Sequence, residues 1–430
     1  MTSSGGSGRP VRFCVTGPLA LLRGNGSFRN LTLAQAVSEI GDWFQIVALL
    51  TLLPTANGRA HVAGGYLALR LLPNVLFSPF AGVVADRFPR GLVLVVCDLL
   101  RAGIMVAYLA AIRADGTANV PMIYALTFLQ ETVTAFFEPA RSAVVPQIVD
   151  RDGLLSANTI GGATWSAMLA IGAALGGLVT RGFGRETALL LNGASFLASA
   201  VFVLAARLPP LPPREARADR PEETGSLAEV LRWLFAHPGQ LAAMLLKSGW
   251  GLMGGIVVLF TVFAERVFSM NDAGAAAVVM GALYAARGIG AFIGPFVALR
   301  FTGQTIAGLC RAVLWAFPVA TAGYVAFALS PGVAIASLAV VVAHLGGATV
   351  WVQSTQLLQL TVPNRMLGRV SSLELAALVT TMIGSMLGVA ALVDAGWPPR
   401  RVALALAGVP LVCALLWGSV RMRVIARLTA

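Results

Sequence analysis

Twelve apolar runs, each about 20 residues or longer, take up most of this chain and are separated by short polar turns. They fall near residues 32–54, 61–84, 91–113, 120–140, 154–180, 185–207, 240–266, 273–300, 304–329, 332–360, 368–394 and 400–420. About 20 residues of helix cross the roughly 30 Å of bilayer hydrocarbon, and helix satisfies every backbone polar group within its own segment. Only 12% of the 430 residues are charged and 57% are hydrophobic, with a mean hydropathy of +0.80. The expected fold class is an all-α membrane protein with twelve transmembrane helices.

A formal net charge of +12 would point a soluble protein toward nucleic acid, so the placement of the basic residues decides its meaning. With the N-terminus in the cytoplasm, nineteen arginines fall on that side, among them Arg9, Arg87, Arg90, Arg141, Arg207, Arg300, Arg365 and Arg427. Seven fall opposite: Arg59, Arg113, Arg181, Arg185, Arg266, Arg400 and Arg401. This positive-inside bias predicts a multi-pass protein of the cell membrane with both termini cytoplasmic, and no nucleic-acid partner. The other five basic residues, Arg70, Arg101, Lys247, Arg287 and Arg311, lie inside predicted spans. Cys14, Cys97, Cys310 and Cys413 form no disulfide framework, and His61, His237 and His344 form no metal set with them. No cofactor, catalytic triad or phosphate-binding loop is visible, so an enzyme is not expected.

Between the sixth and seventh runs lies PPLPPREARADRPEETGSLAEVLRWLFAHPG, whose prolines first forbid a helix and whose end permits a short amphipathic one near 227–235. It divides the chain into a tail (1–31), a six-helix bundle (32–208), a linker (209–239), a second bundle (240–424) and a short tail (425–430). A short interfacial helix fits before the first span. The two bundles carry traces of one another. Arg70 and Ser78-Pro79-Phe80 recur as Arg287 and Gly294-Pro295-Phe296, while Pro146 and Ser156 recur as Pro363 and Ser372, all displaced by 216 or 217 residues. A shared displacement at four points indicates a duplicated six-helix unit and two pseudo-symmetric bundles.

The turn between the second and third runs reads GVVADRFPRG, with Gly82, Asp86, Arg87 and Arg90. Its pattern of Gly, three residues, Asp-Arg, two residues, Arg resembles the loop between helices 2 and 3 of the major facilitator superfamily. Together with twelve spans, a central linker and parallel halves, it makes the whole chain resemble a transporter of that superfamily. FFEPARSAVVP, LLSANTI and LKSGWGLMGG are similar to stretches of its bacterial drug and siderophore exporters. One departure stands out: IGAALGG, Ile171 to Gly177, resembles the superfamily's antiporter signature in its glycines but has Ala173 where a proline is expected.

Charge at membrane depth is costly, which makes each such residue a functional candidate. Asp42, about ten residues into the first span, and Glu131, about eleven into the fourth, are candidates for proton coupling, because low dielectric favours the neutral carboxyl. The resemblance places both helices against a central cavity. The structural alternatives are ion pairs, Asp42 with Arg70 and Glu131 with Arg101; Glu39 is expected to be structural. Arg70 and Arg287 occupy matching places and are candidates to meet an anionic group of a substrate, or else to serve a packing seam. In the tenth span Gln353, Gln356 and Gln359 recur every three residues as a polar stripe, with Gln353 and Gln356 as substrate-binding candidates. Lys247, the only lysine, has room to snorkel to the interface.

Gly82, Asp86, Arg87 and Arg90 form the expected cytoplasmic gate with Glu138 and Arg141, through pairing of Asp86 and Arg90 with the latter two. Neutralising Asp86 is expected to favour the inward-open form, and changing Arg300 to do much less. The expected function is proton-coupled efflux of a small hydrophobic or amphipathic molecule by a monomer in the bilayer. An importer, an uncoupled facilitator or a receptor on the same fold are the alternatives.

Overall fold

Prolines, glycines and polar caps decide where the apolar runs start and break. The computed structural model describes residues 17–57, 59–112, 118–210, 226–270, 272–302 and 305–428. Tail residues 1–16 with Cys14, Arg113, the linker core 211–225 and Gly303 lie outside the described residues.

A short helix α1 (Pro18–Gly24) precedes the first span, α2 (Gly26–Asn57). The second span is two pieces, α3 (Ala60–Leu69) and α4 (Leu72–Arg87), and the third is α5 (Arg90–Ala110). The fourth to sixth are α6 (Val120–Ile148), α7 (Leu154–Phe183) and α8 (Arg185–Ala205). The amphipathic α9 (Leu227–Ala236) follows. The seventh span combines α10 (Pro238–Gly251), α11 (Ile256–Val262) and a π-helical turn, Phe263–Phe268. The remaining spans are α12 (Ala273–Thr302), α13 (Ile306–Leu329), α14 (Val333–Thr361), α15 (Asn364–Asp394) and α16 (Pro399–Leu428). Eleven spans are long and apolar enough to cross a membrane on their own, and the bent second span makes the twelfth.

Five spans differ from the sequence expectation; the first begins at Gly26 rather than 32 and the twelfth runs to Leu428 rather than 420. The second is interrupted at Arg70–Leu71, because Pro73 has no N–H to give the carbonyl four residues back. The fourth runs to Ile148 rather than 140. It passes through Pro139 and Pro146 because apolar packing of Phe137, Ala140 and Val144 continues across the first of them. The seventh unwinds at 252–255, near its middle. There Gly254 and Gly255 lie so close to α15 that a β-carbon at either would strike Met382 or the Ser385 carbonyl. Ser385 serves the backbone freed by the break: its hydroxyl accepts from the Gly255 N–H at 2.9 Å and donates to the Leu252 carbonyl at 2.5 Å.

Polar side chains cap several starts. Asn119 accepts from Met122 N, Ser226 from Glu229 N and Thr305 from Gly308 N. The outward faces keep leucines such as Leu99, Leu100 and Leu415 exposed, the surface that lipid tails would cover.

Candidate transport site and gates

The first bundle pairs its buried charges internally. Arg70, at the break of the second span, donates through Nε to Glu131 Oε1 of α6 at 2.6 Å. Asp42 on α2 is partly buried, within electrostatic reach of Arg70, Arg101 and Glu131, and within hydrogen-bonding reach of Asn192 on α8. Below it the Gln45 and Gln130 amides each donate to the other at 2.9 and 2.8 Å, and Asn192 donates to Gln45 at 2.9 Å. The expected alternatives were therefore paired wrongly. Arg70 takes Glu131 rather than Asp42, and Arg101 takes Asp98 of its own helix, between the rings of Phe137 and Phe196. The reason is geometric: the break at Arg70 turns its side chain toward α6, while Arg101 sits one helical turn after Asp98. Glu39 forms no ion pair; its Oε1 accepts from Gln35 at 2.8 Å.

The second bundle treats the matching arginine differently. Arg287 makes no hydrogen bond or ion pair among the described residues, and its electrostatic neighbours are Tyr284, Tyr324 and His344. Rings crowd around these groups. Tyr284 lies 5.2 Å from Trp43 of α2 and 5.5 Å from Phe260 of α11, centroid to centroid, while Trp250 lies 5.8 Å from His344 and 6.2 Å from Tyr324. His344 Nδ1 faces the Val340 carbonyl at 3.1 Å and therefore carries the proton, which leaves Nε2 to accept from the Tyr324 hydroxyl at 3.5 Å. The Tyr284 hydroxyl is buried with no partner.

Lys247 does not snorkel. Its Nζ donates to Glu374 Oε2 of α15 at 2.9 Å and lies 5.0 Å from the Trp351 ring centroid. Both charges are buried. The glutamine stripe is not uniform: Gln353 is fully buried with both amide ends unpartnered, Gln356 is half-buried and Gln359 is exposed. Glu374 escaped the sequence reading, although its position about ten residues into α15 is the depth signal that singled out Asp42. Tyr284 and Trp43 carried no such signal, since aromatic residues are ordinary in an apolar span.

At the turn side, Arg90 reaches α6 through the backbone. Its Nη1 donates to the Ala143 carbonyl at 2.6 Å and its Nε to Ala85 at 3.3 Å, while Nη2 lies 3.6 Å from Asp86. Arg141 binds Glu138 at 2.9 Å on its own helix and Gln35 of α2 at 2.7 Å. The expected pairing of Asp86 and Arg90 with Glu138 and Arg141 is thus replaced by these contacts: Glu138 lies one turn before Arg141 on α6, and the bend between α4 and α5 brings Arg90 toward Asp86 and the Ala143 carbonyl. Asp86 is two-thirds exposed and Arg87 exposed, and open space surrounds Gly82. Gln35, Arg141, Pro146 and Asn158 line a cavity of about 410 Å³ between α2, α6 and α7.

The bundles meet on the opposite side. Asp394, at the end of α15, accepts from the N–H groups of Ala60 and His61 at 2.6 and 3.0 Å and faces His61 Nδ1 at 2.7 Å, capping α3 across the divide. Gly64 lies against Ala390, Gly177 against Ala277, Gly281 against Ala173 and Gly288 against Ala170. These approaches run from the level of Arg287 to the ends bearing His61 and Asp394. The antiporter-like stretch takes part through Ala173 and Gly177, while its Gly172 and Gly176 let α7 press on the backbone of α2 at Ile40 and Phe44 within the first bundle.

Two helical bundles joined by a linker, with charges at mid-membrane and a broken helix between them, define the architecture of a secondary transporter. The profile of the Major Facilitator Superfamily matches residues 31–374, and the chain belongs to that family. It is 29% identical over 247 residues to BacE of Bacillus subtilis (strain 168), a provisionally named bacilysin exporter, across 57% of this chain and 60% of that protein. Over 127 residues it is 30% identical to macrolide efflux protein A of Streptococcus pyogenes, across 30% of this chain and 31% of the other. The aligned region thus spans at most about three-fifths of these relatives. The solved structure of a bacterial homologue of the human lysosomal transporter Spinster, inward-facing and unoccupied, superposes with a TM-score of 0.68 at 15% identity, covering 93% of this chain and 97% of that one. The chain is a multi-pass membrane protein of this family.

Proposed function

We propose that the protein exports a small amphipathic molecule from the cytoplasm across the cell membrane, as a monomer in the bilayer, by alternating access coupled to protons. The observation that carries this reading is the one-sided contact between bundles. They pack from the level of Arg287 to the His61–Asp394 end, while at the turn side the Arg141 side chain bonds Glu138 and Gln35 of the first bundle. On the positive-inside orientation the turn-side ends face the cytoplasm, where an exporter loads. Resemblance to two exporters favours this direction over import.

Asp42 is the proton carrier in this scheme. It is a mid-membrane carboxylate that no ion pair holds among the described residues, and it lies within electrostatic reach of Arg70, Arg101 and Glu131, whereas Glu131 is held by Arg70. Loss of its charge changes what Arg70, Arg101 and Glu131 feel, and so links protonation to the packing of α2. Arg87, Arg90, Glu138 and Arg141 belong to the inner gate. Gln353 and Gln356 line the pathway with Arg70 and Arg287.

Flux in proteoliposomes under an imposed pH gradient tests the reading. Wild-type protein is expected to move an amphipathic cargo against its gradient, and Asp42→Asn is expected to reduce that movement to background while remaining folded. Undiminished pH-driven flux in Asp42→Asn would remove Asp42 from the coupling. Cargo binding without flux in the wild type would make the protein a receptor.

A further inference from the structure

We infer that Arg287 and the hydroxyl of Tyr284 form a binding site for a carboxylate carried by the transported molecule, with the rings of Trp43, Trp250 and Phe260 receiving a flat apolar portion beside it. The inference rests on the transport reading above and adds a substrate class to it.

The missing countercharge is the first reason. A cation at membrane depth is costly unless paired, even half-buried as Arg287 is, and the internal repeat shows how the first bundle solves this, with Glu131 on the fourth span facing Arg70. Displacing Glu131 by the same 216 or 217 residues arrives at Gly347 or Ala348 on the tenth span, where no carboxylate exists. The room is filled by an indole instead: a β-carbon on Gly347 would run into the ring of Trp250. The second bundle therefore keeps the arginine, lacks the acid and places an aromatic ring where the acid would be.

The second reason is independent of charge. The Tyr284 hydroxyl, one helical turn before Arg287, is buried without an acceptor, and such a group costs free energy until an acceptor arrives. A carboxylate accepts from a guanidinium fork with one edge and from a hydroxyl with a remaining lone pair. His344 does not compete for the arginine as an anion, because its protonated Nδ1 faces a carbonyl and its Nε2 faces Tyr324.

The third reason is place. Gly288, the next residue, lies against Ser166 and Ala170 of the other bundle, and Trp43 approaches Tyr284 from α2. The site thus sits at mid-membrane on the boundary that alternating access rearranges, beside the break of the seventh span.

Calorimetric titration of the full chain in nanodiscs at neutral pH, with 2-naphthoate against 2-naphthylmethanol as probes, tests this. The acid is expected to bind about tenfold or more tightly than the alcohol, the scale of a charge-assisted bond. Arg287→Gln is expected to abolish the preference, Arg287→Lys to retain part of it without the bidentate fork, and Tyr284→Phe to reduce it several-fold. Arg311→Gln, an exposed arginine on α13, serves as the control and should leave it intact. Thermal melting of each variant separates loss of the site from loss of the fold. Equal binding of acid and alcohol by the wild type overturns the site, as does an unchanged preference in Arg287→Gln. Arg287-dependent binding without flux of any naphthoate-like cargo leaves the site standing and removes the transport reading. Flux of neutral cargo without acid preference does the reverse.

Discussion

Arg70 and Arg287 stand at equivalent points of a duplicated unit, yet one is neutralised and the other is not. Arg70 is met by Glu131, and the surrounding amides Gln45, Gln130 and Asn192 satisfy one another. Arg287 is met by rings, and an unpartnered hydroxyl stands near each arginine, Tyr66 by Arg70 and Tyr284 by Arg287. The prolines differ as well: the second span is interrupted at Arg70–Leu71 and bends by 59° between its segments ending at Phe77 and starting at Phe80, whereas α12 continues as one helix through Pro295. The order of spans is shared, while the helix breaks and the side-chain partners differ. The first bundle neutralises its repeat arginine, and the second keeps its own available.

The largest effects should come from breaking buried pairs. Arg70→Gln is expected to cost about 3–5 kcal/mol by stranding Glu131, and Lys247→Met a similar amount by stranding Glu374. Arg287→Gln should be neutral or stabilising. Thermal unfolding in detergent compares the three, and the double variant Arg70→Gln, Glu131→Gln should recover most of the loss. Equal destabilisation by Arg70→Gln and Arg287→Gln would erase the contrast between the bundles.

A smaller effect is expected at the seam. A β-carbon at Gly177 would stand 2.5 Å from the Ala277 carbonyl oxygen, so Gly177→Val should cost about 1–3 kcal/mol in this conformation and favour the form whose outer ends are apart. Distances between spin labels on the two outer ends would read the shift. Asp394→Ala removes the cap from α3 and should weaken the same closed end by about 1 kcal/mol, visible as a smaller change in those distances. The smallest effect belongs to Asp86→Asn, about 0.5 kcal/mol or less on this state by thermal melting, since its carboxylate is largely in water and 3.6 Å from Arg90.

Much of this architecture was legible in residue order. The twelve spans, the amphipathic helix after the linker, the duplication and the family turn all follow from local features that do not depend on distant contacts. Pairing was less legible. Asp42, Arg70, Arg101, Glu131 and Glu374 were each recognisable as charges at depth, but nothing along the chain tells which helix faces which. The break at 252–255 was hidden for a related reason: glycines in an apolar span read equally as helix packing, and only the nearness of Ser385, 130 residues away from Gly255, makes an unwound backbone tolerable.

The sequence by itself determined that this chain spans a membrane as two related helical bundles, because burying twelve apolar runs leaves helix as the way to satisfy their backbones. Tertiary structure alone decided that Arg70 is paired and Arg287 is not. An ion pair is a property of two side chains meeting within a few ångströms, and that distance is set by helix packing rather than by composition or spacing.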